Sequence, residues 1–220
     1  MNVFDFTLAG AKLQALGSGA LYWPDQRLLC VSDLHFGKAE RAARHGGAQL
    51  PPYETHDTLT RLEADLAATG AATVVCLGDT FDDMTALHEL TEAEALWIAR
   101  LQAGRRWVWI EGNHDAGPIQ LGGTHLAELP LPPLAFRHIA RPGASGEVSG
   151  HYHPKARLRT RGQSLSRPCF LLDSDRLILP AYGTFTGGLR SDNTALSDLM
   201  RPEALAILTG AIPRPIPMPR

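Results

Sequence analysis

Leu28-Leu29-Cys30-Val31-Ser32-Asp33-Leu34-His35 is an apolar run that breaks abruptly into a carboxylate and an imidazole. A run with no charge until its end is the pattern of a strand buried on both faces, as in a parallel sheet. The pattern recurs twice. Residues 73–77 (TVVCL) lead into Gly78-Asp79, and residues 106–110 (RWVWI) lead into Gly112-Asn113-His114-Asp115. Helical signals lie between. Leu59, Leu62 and Leu66 share one face of residues 55–68, which Gly70 stops. A capping box, Thr91-Glu92-Ala93-Glu94, opens a second helix with Leu96 and Leu101 inward, closed near Gly104. Strand, helix, strand, helix, strand predicts an α/β layered core whose strand ends open on one crevice.

Outward from this centre the signals shorten. Residues 4–8, 13–16 and 20–23 alternate with Gly and Pro as hairpin strands would. Residues 37–45 suggest a short helix, and 46–52 are irregular. Beyond Gly123 short strands are expected near 134–138, 146–150, 157–161, 169–173 and 176–179. Helical pattern returns only near 195–200 and 202–208. The 220-residue chain, 44% apolar, is long enough for one sizeable core. Residues 1–210 are therefore read as a single domain. Residues 211–220 form a Pro-rich tail, read as a mobile or draped extension, since Pro suits neither a helix interior nor a central strand.

The polar residues at the run ends carry the chemistry. Asp33, His35, Asp79, Asn113, His138, His151 and His153 are carboxylate, amide and imidazole donors, enough for two metal sites sharing one carboxylate. Singly, each fragment has a bland explanation: a turn, a helix cap or a satisfied core histidine. Together they point to a centre that attacks a phosphorus ester, in which two cations hold a bridging water and lower its pKa. Charge is uneven. Residues 1–149 carry 11 Lys and Arg against 18 Asp and Glu, a balance of −7, whereas residues 150–220 carry 10 against 5, a balance of +5. An acidic front half suits cations, and a basic back half suits an anionic substrate. Cys30, Cys76 and Cys169 all sit in apolar segments, as buried thiols of a reducing compartment would. With no signal-peptide pattern and no membrane-length apolar run, a cytoplasmic protein without membrane contact is expected.

The series Asp-x-His, Gly-Asp, Gly-Asn-His-Asp, a later His and Gly-His-x-His resembles the calcineurin-like metallophosphoesterase superfamily. Within it, LLCVSDLHFGKAERA, QLPPYETHDTL, VVCLGD, GNHD, FRH, GEVSGHYHPKARLR and LPAYGTFTGGL resemble the ligase-associated DNA-damage-response endonucleases, the PdeM family. The similarity runs from about residue 20 to 189. It implies a four-layer α/β/β/α sandwich. Carried over by position, it makes Asp33, His35 and His153 ligands of one metal, Asn113, His138 and His151 ligands of the other, and Asp79 the bridge. His125 is the rival to His138, which no short motif identifies. His114 matches the family's non-ligating catalytic histidine, which protonates the leaving oxygen, with Asp115 fixing its tautomer. Asp82 and Asp83 compete for the acid that braces the ligand loop.

The resemblance also implies two divalent metals, Mn first, with Fe or Zn as alternatives. It implies a nuclease of DNA repair and association with a DNA ligase, helicase or exonuclease. The residues themselves offer a basic, acid-free stretch after His153. It holds Lys155, Arg157, Arg159, Arg161 and Arg167; Arg157, Arg159 and Arg161 would line one strand face, and the stretch could track single-stranded DNA without reading its sequence. A solvated edge strand is the plain alternative. Lys38 and Arg41 could meet a substrate phosphate, and Tyr182 and Phe185 could stack on bases. Small phosphoesters such as nucleotides or cyclic nucleotides remain an alternative substrate class, and a silent protein-binding scaffold a third reading.

Overall fold

The apolar runs ending at Asp33, Asp79 and Asn113 are neighbouring parallel strands, and everything else is arranged around them. The computed structural model describes residues 2–39, 41, 46, 51, 53–81, 90–114, 121–160 and 162–220. Its first sheet runs in sequence order: β1 (Val3–Leu8), β2 (Ala11–Leu16), β3 (Leu21–Trp23), β4 (Leu28–Val31), β5 (Thr73–Leu77), β6 (Arg106–Ile110) and β7 (Thr124–Leu126). The first four strands form an antiparallel meander, and β4 to β7 are parallel. Parallel neighbours require crossovers, here helix α1 (Glu54–Thr69) from β4 to β5 and α2 (Glu92–Gln102) from β5 to β6. Helix α1 buries Leu59, Leu62 and Leu66 and ends on Gly70, whose φ of 60° closes the last turn onto Leu66. Helix α2 opens with the expected capping box.

Leu96 corrects the reading of α2. It is 63% exposed, whereas Ile98 and Leu101 are buried. At about 100° per residue, Leu96 lies roughly 160° round the helix from Ile98, so the two cannot share a buried face.

The second sheet has the order β15-β14-β12-β13-β10-β9-β8, with β11 paired to β12. These strands are β8 (Glu128–Leu131), β9 (Leu134–Arg137), β10 (Glu147–Ser149), β11 (Lys155–Thr160), β12 (Gln163–Leu172), β13 (Arg176–Ile178), β14 (Leu205–Leu208) and β15 (Arg214–Pro217). Strands β9, β10 and β13 are parallel. Period-two alternation divides the apolar side chains between layers. Cys30, Val75 and Val108 of the first sheet pack with Phe136, Val148 and Phe170 of the second. Leu29, Val74 and Trp107 face the opposite way, toward α1 and α2. The outer side of the second sheet packs Cys169, Leu171 and Ala206 with Leu196 and Met200. The architecture is α/β/β/α, its last layer thin: the one-turn helix α3 (Thr194–Ser197) and irregular chain.

Four stretches differ from expectation. Residues 205–208 form β14 rather than helix, because Ile207 enters the inter-sheet core while Ala206 faces outward, a period of two. The Pro-rich tail is partly the edge strand β15, where Pro215 and Pro217 need no donor on the solvent side. Strands β7 and β8 were not anticipated. After His35, Lys38, Ala39 and Arg41 are helical, but most of residues 42–52 lie outside the described residues.

Candidate metal centre

All seven expected ligands sit just past the ends of strands: Asp33 and His35 after β4, Asp79 after β5, Asn113 after β6, His138 after β9, and His151 and His153 after β10. Register aligns the first sheet's ends, with Val31 beside Cys76 and Leu77 beside Ile110. The chain must then turn sharply to aim each side chain at one point. Asp33 (φ 53°), His35 (48°), Asp79 (47°), His151 (72°) and His153 (47°) all occupy the left-handed region. Non-glycine residues there cost about 1–3 kcal/mol each and persist only where their surroundings hold them. Here the strand-end loops bond one another: Asp33 N–H to Gly78 O at 3.3 Å, His35 N–H to Asp79 O at 3.0 Å and Phe36 N–H to Thr80 O at 2.9 Å. Close approach excludes side chains between them. A Cβ on Gly150 would lie 1.7 Å from Ser32 Oγ, and one on Gly78 would lie 2.6 Å from His138 Nδ1.

Two clusters result. Asp33, His35 and His153 form one, and Asp79, His138 and His151 the other, with the donor atoms of each within 4.8 Å of one another. In the first, His153 Nε2 lies 3.2 Å from Asp33 Oδ1 and 3.3 Å from His35 Nε2. In the second, His138 Nδ1 donates to Leu77 O at 2.7 Å, which turns Nε2 inward. Around that Nε2 stand Asn113 Oδ1 at 2.9 Å, His151 Nδ1 at 3.2 Å and Asp79 Oδ2 at 3.4 Å. Four atoms able to ligate a cation converge there. The donor set of carboxylate, amide and imidazole fits Mn, Fe or Zn. His138, not His125, completes it; His125 Nε2 lies 3.3 Å from Leu121 O instead.

The titration behaviour follows. Burial alone would raise Asp79, yet the hydrogen bond and charge of His138 and the His114 amide hold it well below the usual carboxylate range. Asp33 is likewise lowered against its burial, by His153 and His138. His138 is raised despite burial, by Asp79 and Asp33, while burial and the charge of His138 lower His151. The clusters are negative and call for positive charge.

His114 stands beside them, half-buried. Its backbone N–H donates to Asp79 Oδ1 at 2.9 Å and its ring meets His35 edge-on, centroids 5.3 Å apart. Asp115, Asp82 and Asp83 lie outside the described residues. The sequence reading missed Ser32, a buried hydroxyl that donates to Asp33 Oδ2, and the His151 N–H, 3.0 Å from the same oxygen. A serine before Asp-x-His was the only sign of it. A cavity of about 360 Å³ opens on Asn113 and His138, with Arg137, Ile139 and Arg141 in its wall.

The basic stretch divides. Pairing places Lys155, Arg157 and Arg159 on one face of β11, opposite Pro168, Ser166 and Ser164. Arg167 pairs with Ala156 and faces the other way, so it leaves the strip. Arg161 lies outside the described residues. Arg157 is exposed, its Nε 2.6 Å from Ser164 Oγ. Lys155 is half-buried, which lowers its ammonium pKa, and Nζ donates to Thr186 O at 3.0 Å. Lys38 and Arg41, in the helical turn after His35, are partly exposed. Tyr182 is fully buried, its hydroxyl donating to Asp65 Oδ2 at 2.8 Å, so it is core rather than a stacking platform. Phe185 is exposed.

A family model of calcineurin-like phosphoesterases matches residues 26–184. The crystal structure of the Pseudomonas putida nuclease MPE superposes with a TM-score of 0.77 at 33% identity, covering 98% of this chain and 100% of that one. No curated protein matches.

Proposed function

The chain belongs to the calcineurin-like phosphoesterase family and is a metal-dependent phosphoesterase, and from that premise we propose that it is a DNA endonuclease acting on single-stranded or damaged DNA in repair. The observation that carries the reading is the convergence of ligand atoms around His138 Nε2, beside a matching cluster on Asp33. Asp33, His35 and His153 would hold one divalent metal and Asn113, His138 and His151 the other, with Asp79 between them; Mn is the first candidate, Fe and Zn the others. Such ions supply Lewis-acid polarisation of phosphoryl oxygens and an acidified water.

The chain's own groups do the rest. Leu77 O sets the His138 tautomer. Ser32 and the His151 amide hold the Asp33 carboxylate in one orientation. His114, tied to Asp79 through its amide, donates a proton to the leaving oxygen, with Asp115 as its orienting partner. Lys155, Arg157 and Arg159, with Lys38 and Arg41, attract the phosphate backbone without reading bases. Similarity to a bacterial nuclease supports the nucleic-acid substrate. A repair role, and association with a ligase, helicase or exonuclease, rest on the PdeM-like motifs. Three buried free thiols fit a cytoplasmic setting; among the described residues no helix is long and apolar enough to cross a membrane. The cavity beside Asn113 keeps small phosphoesters as a second reading.

The test is hydrolysis of single-stranded circular DNA, an aryl phosphodiester and a phosphomonoester across a Mn, Fe, Zn and Mg series. Cleavage of the DNA circle with Mn is expected. Rapid monoester hydrolysis with the circle left intact would refute the nuclease.

A further inference from the structure

Among the described residues, few large apolar side chains reach solvent, and two of them touch. Tyr53 is 52% exposed and Phe185 37%, with ring centroids 5.6 Å apart and planes tilted by 58°. They come from segments far apart in sequence, each fastened to one side of the metal centre. Tyr53 precedes α1, where Glu54 Oε1 accepts the Ala39 N–H at 3.1 Å and Thr55 Oγ1 the Gly37 N–H at 3.4 Å. Tyr53 is thereby anchored to the chain that leaves His35. Phe185 follows Gly183, whose N–H donates to Asp33 O at 3.1 Å; two residues of chain keep it within about 7 Å of that glycine. On its other side, Gly188 packs so closely on His153 that a Cβ would lie 2.1 Å from the His153 carbonyl oxygen.

Phe185 holds φ at 60°, a conformation in which glycine is at ease and a bulky residue is strained. An aromatic side chain kept in that conformation, and kept exposed, serves neither the core nor the turn. Lys155 Nζ donates to Thr186 O, the residue after Phe185, so the start of cationic β11 is fastened to the loop that carries this ring. Aromatic faces beside a cationic track are the two parts with which proteins hold unpaired nucleic-acid strands.

We propose that Tyr53 and Phe185 form a base-stacking subsite for an unpaired nucleotide of the strand whose phosphate enters the metal centre. The proposal rests on the nuclease reading above and names the part of the substrate that reading leaves unassigned. It makes single-strandedness a requirement of binding, because a paired and stacked base has no free face to offer.

The experiment measures binding of a fluorescent oligothymidylate and of an abasic oligonucleotide of equal length by fluorescence anisotropy, in EDTA, to the full chain and to three variants: Tyr53→Leu, Phe185→Leu and Phe185→Gly. The wild type should favour the base-bearing strand by about tenfold or more, and each variant should lose most of that preference while binding the abasic strand as before. Phe185→Gly keeps the test clear of misfolding, since glycine accepts φ of 60°: its Tm should hold or rise while its base preference falls. An unaltered preference in all three variants overturns the subsite, as does a fall in Tm for Phe185→Gly accompanied by equal loss on both strands. If the wild type hydrolyses an aryl diester with Mn but neither binds nor cuts DNA, the nuclease reading fails and the subsite with it. If it cuts DNA and the preference is insensitive to these residues, the subsite alone fails.

Discussion

The segment from β10 into β11 passes, within a few residues, from the most constrained part of the molecule to one of the least. Up to His153 the chain is packed against neighbouring loops, with backbone in the left-handed region and glycines excluding any side chain between ligands. Farther out, among the described residues, Arg157, Ser164, Ser166 and Arg167 are exposed on the β11–β12 hairpin, and Leu165 is open to solvent as well. The difference tracks what each part must do. Groups that could hold a metal tolerate little displacement, and the left-handed backbone there is held by hydrogen bonds between the strand-end loops. The flexible polyanion proposed as substrate would need charge and surface rather than one geometry, and the adjoining hairpin offers both. Precision is confined to the strand ends.

The comparison can be broken at the constrained end first. Asp79→Asn removes the charge between the clusters while keeping a residue that tolerates φ near 47°. Phosphodiester hydrolysis should fall by about a thousandfold or more, and bound metal, measured by elemental analysis, from two equivalents toward one. Retention of two equivalents and full activity would show that Asp79 does not join the sites. His114→Ala should lower DNA cleavage by roughly a hundredfold or more with metal content intact, since the role proposed for it is proton transfer and not metal binding. Loss of metal in that variant would make it a ligand instead. Gly150→Ala drives a methyl into Ser32 and Asp33. It should cost about 1–3 kcal/mol in unfolding free energy and weaken metal affinity by about ten- to a hundredfold.

The open end sharpens the contrast with smaller effects. Arg157→Ala should reduce the slope of log affinity against log salt by about 0.7 on single-stranded DNA, raising KM severalfold with little change in kcat. A kcat effect as large as that of His114→Ala would erase the distinction between the two parts. Smallest of all, burial pushes the Cys169 thiol up to about 12 and Cys30 well above its ordinary value. Neither thiol should react with a disulfide reagent at pH 8 until the chain is unfolded, as read by thiol titration with and without denaturant.

Much of the architecture is legible in the sequence alone. Apolar runs ending in Asp33, Asp79 and Asn113, the capping box at Thr91 and the leucine stripe of α1 are local signals, because strand burial, helix capping and helical periodicity depend on residues close together in the chain. The parallel layered core follows from them, and so do the candidate ligands Asp33, His35, Asp79 and Asn113 at the run ends. Other features depend on contacts that no local pattern encodes. His138 joins the cluster and His125 does not, because the end of β9 reaches Leu77 O, which turns the His138 ring. Leu96 is outward because the burial of Ile98 decides the phase of α2. Arg167 leaves the basic strip, and residues 205–208 form a strand, because the pairing partner decides which face each residue takes. Tyr53 meets Phe185 although 131 positions separate them. Residue type and spacing thus determined which chemistry the chain carries and where its strands end. Only the tertiary structure decided which side chains converge, because convergence depends on loops meeting in space and on backbone turns that tertiary contacts alone stabilise.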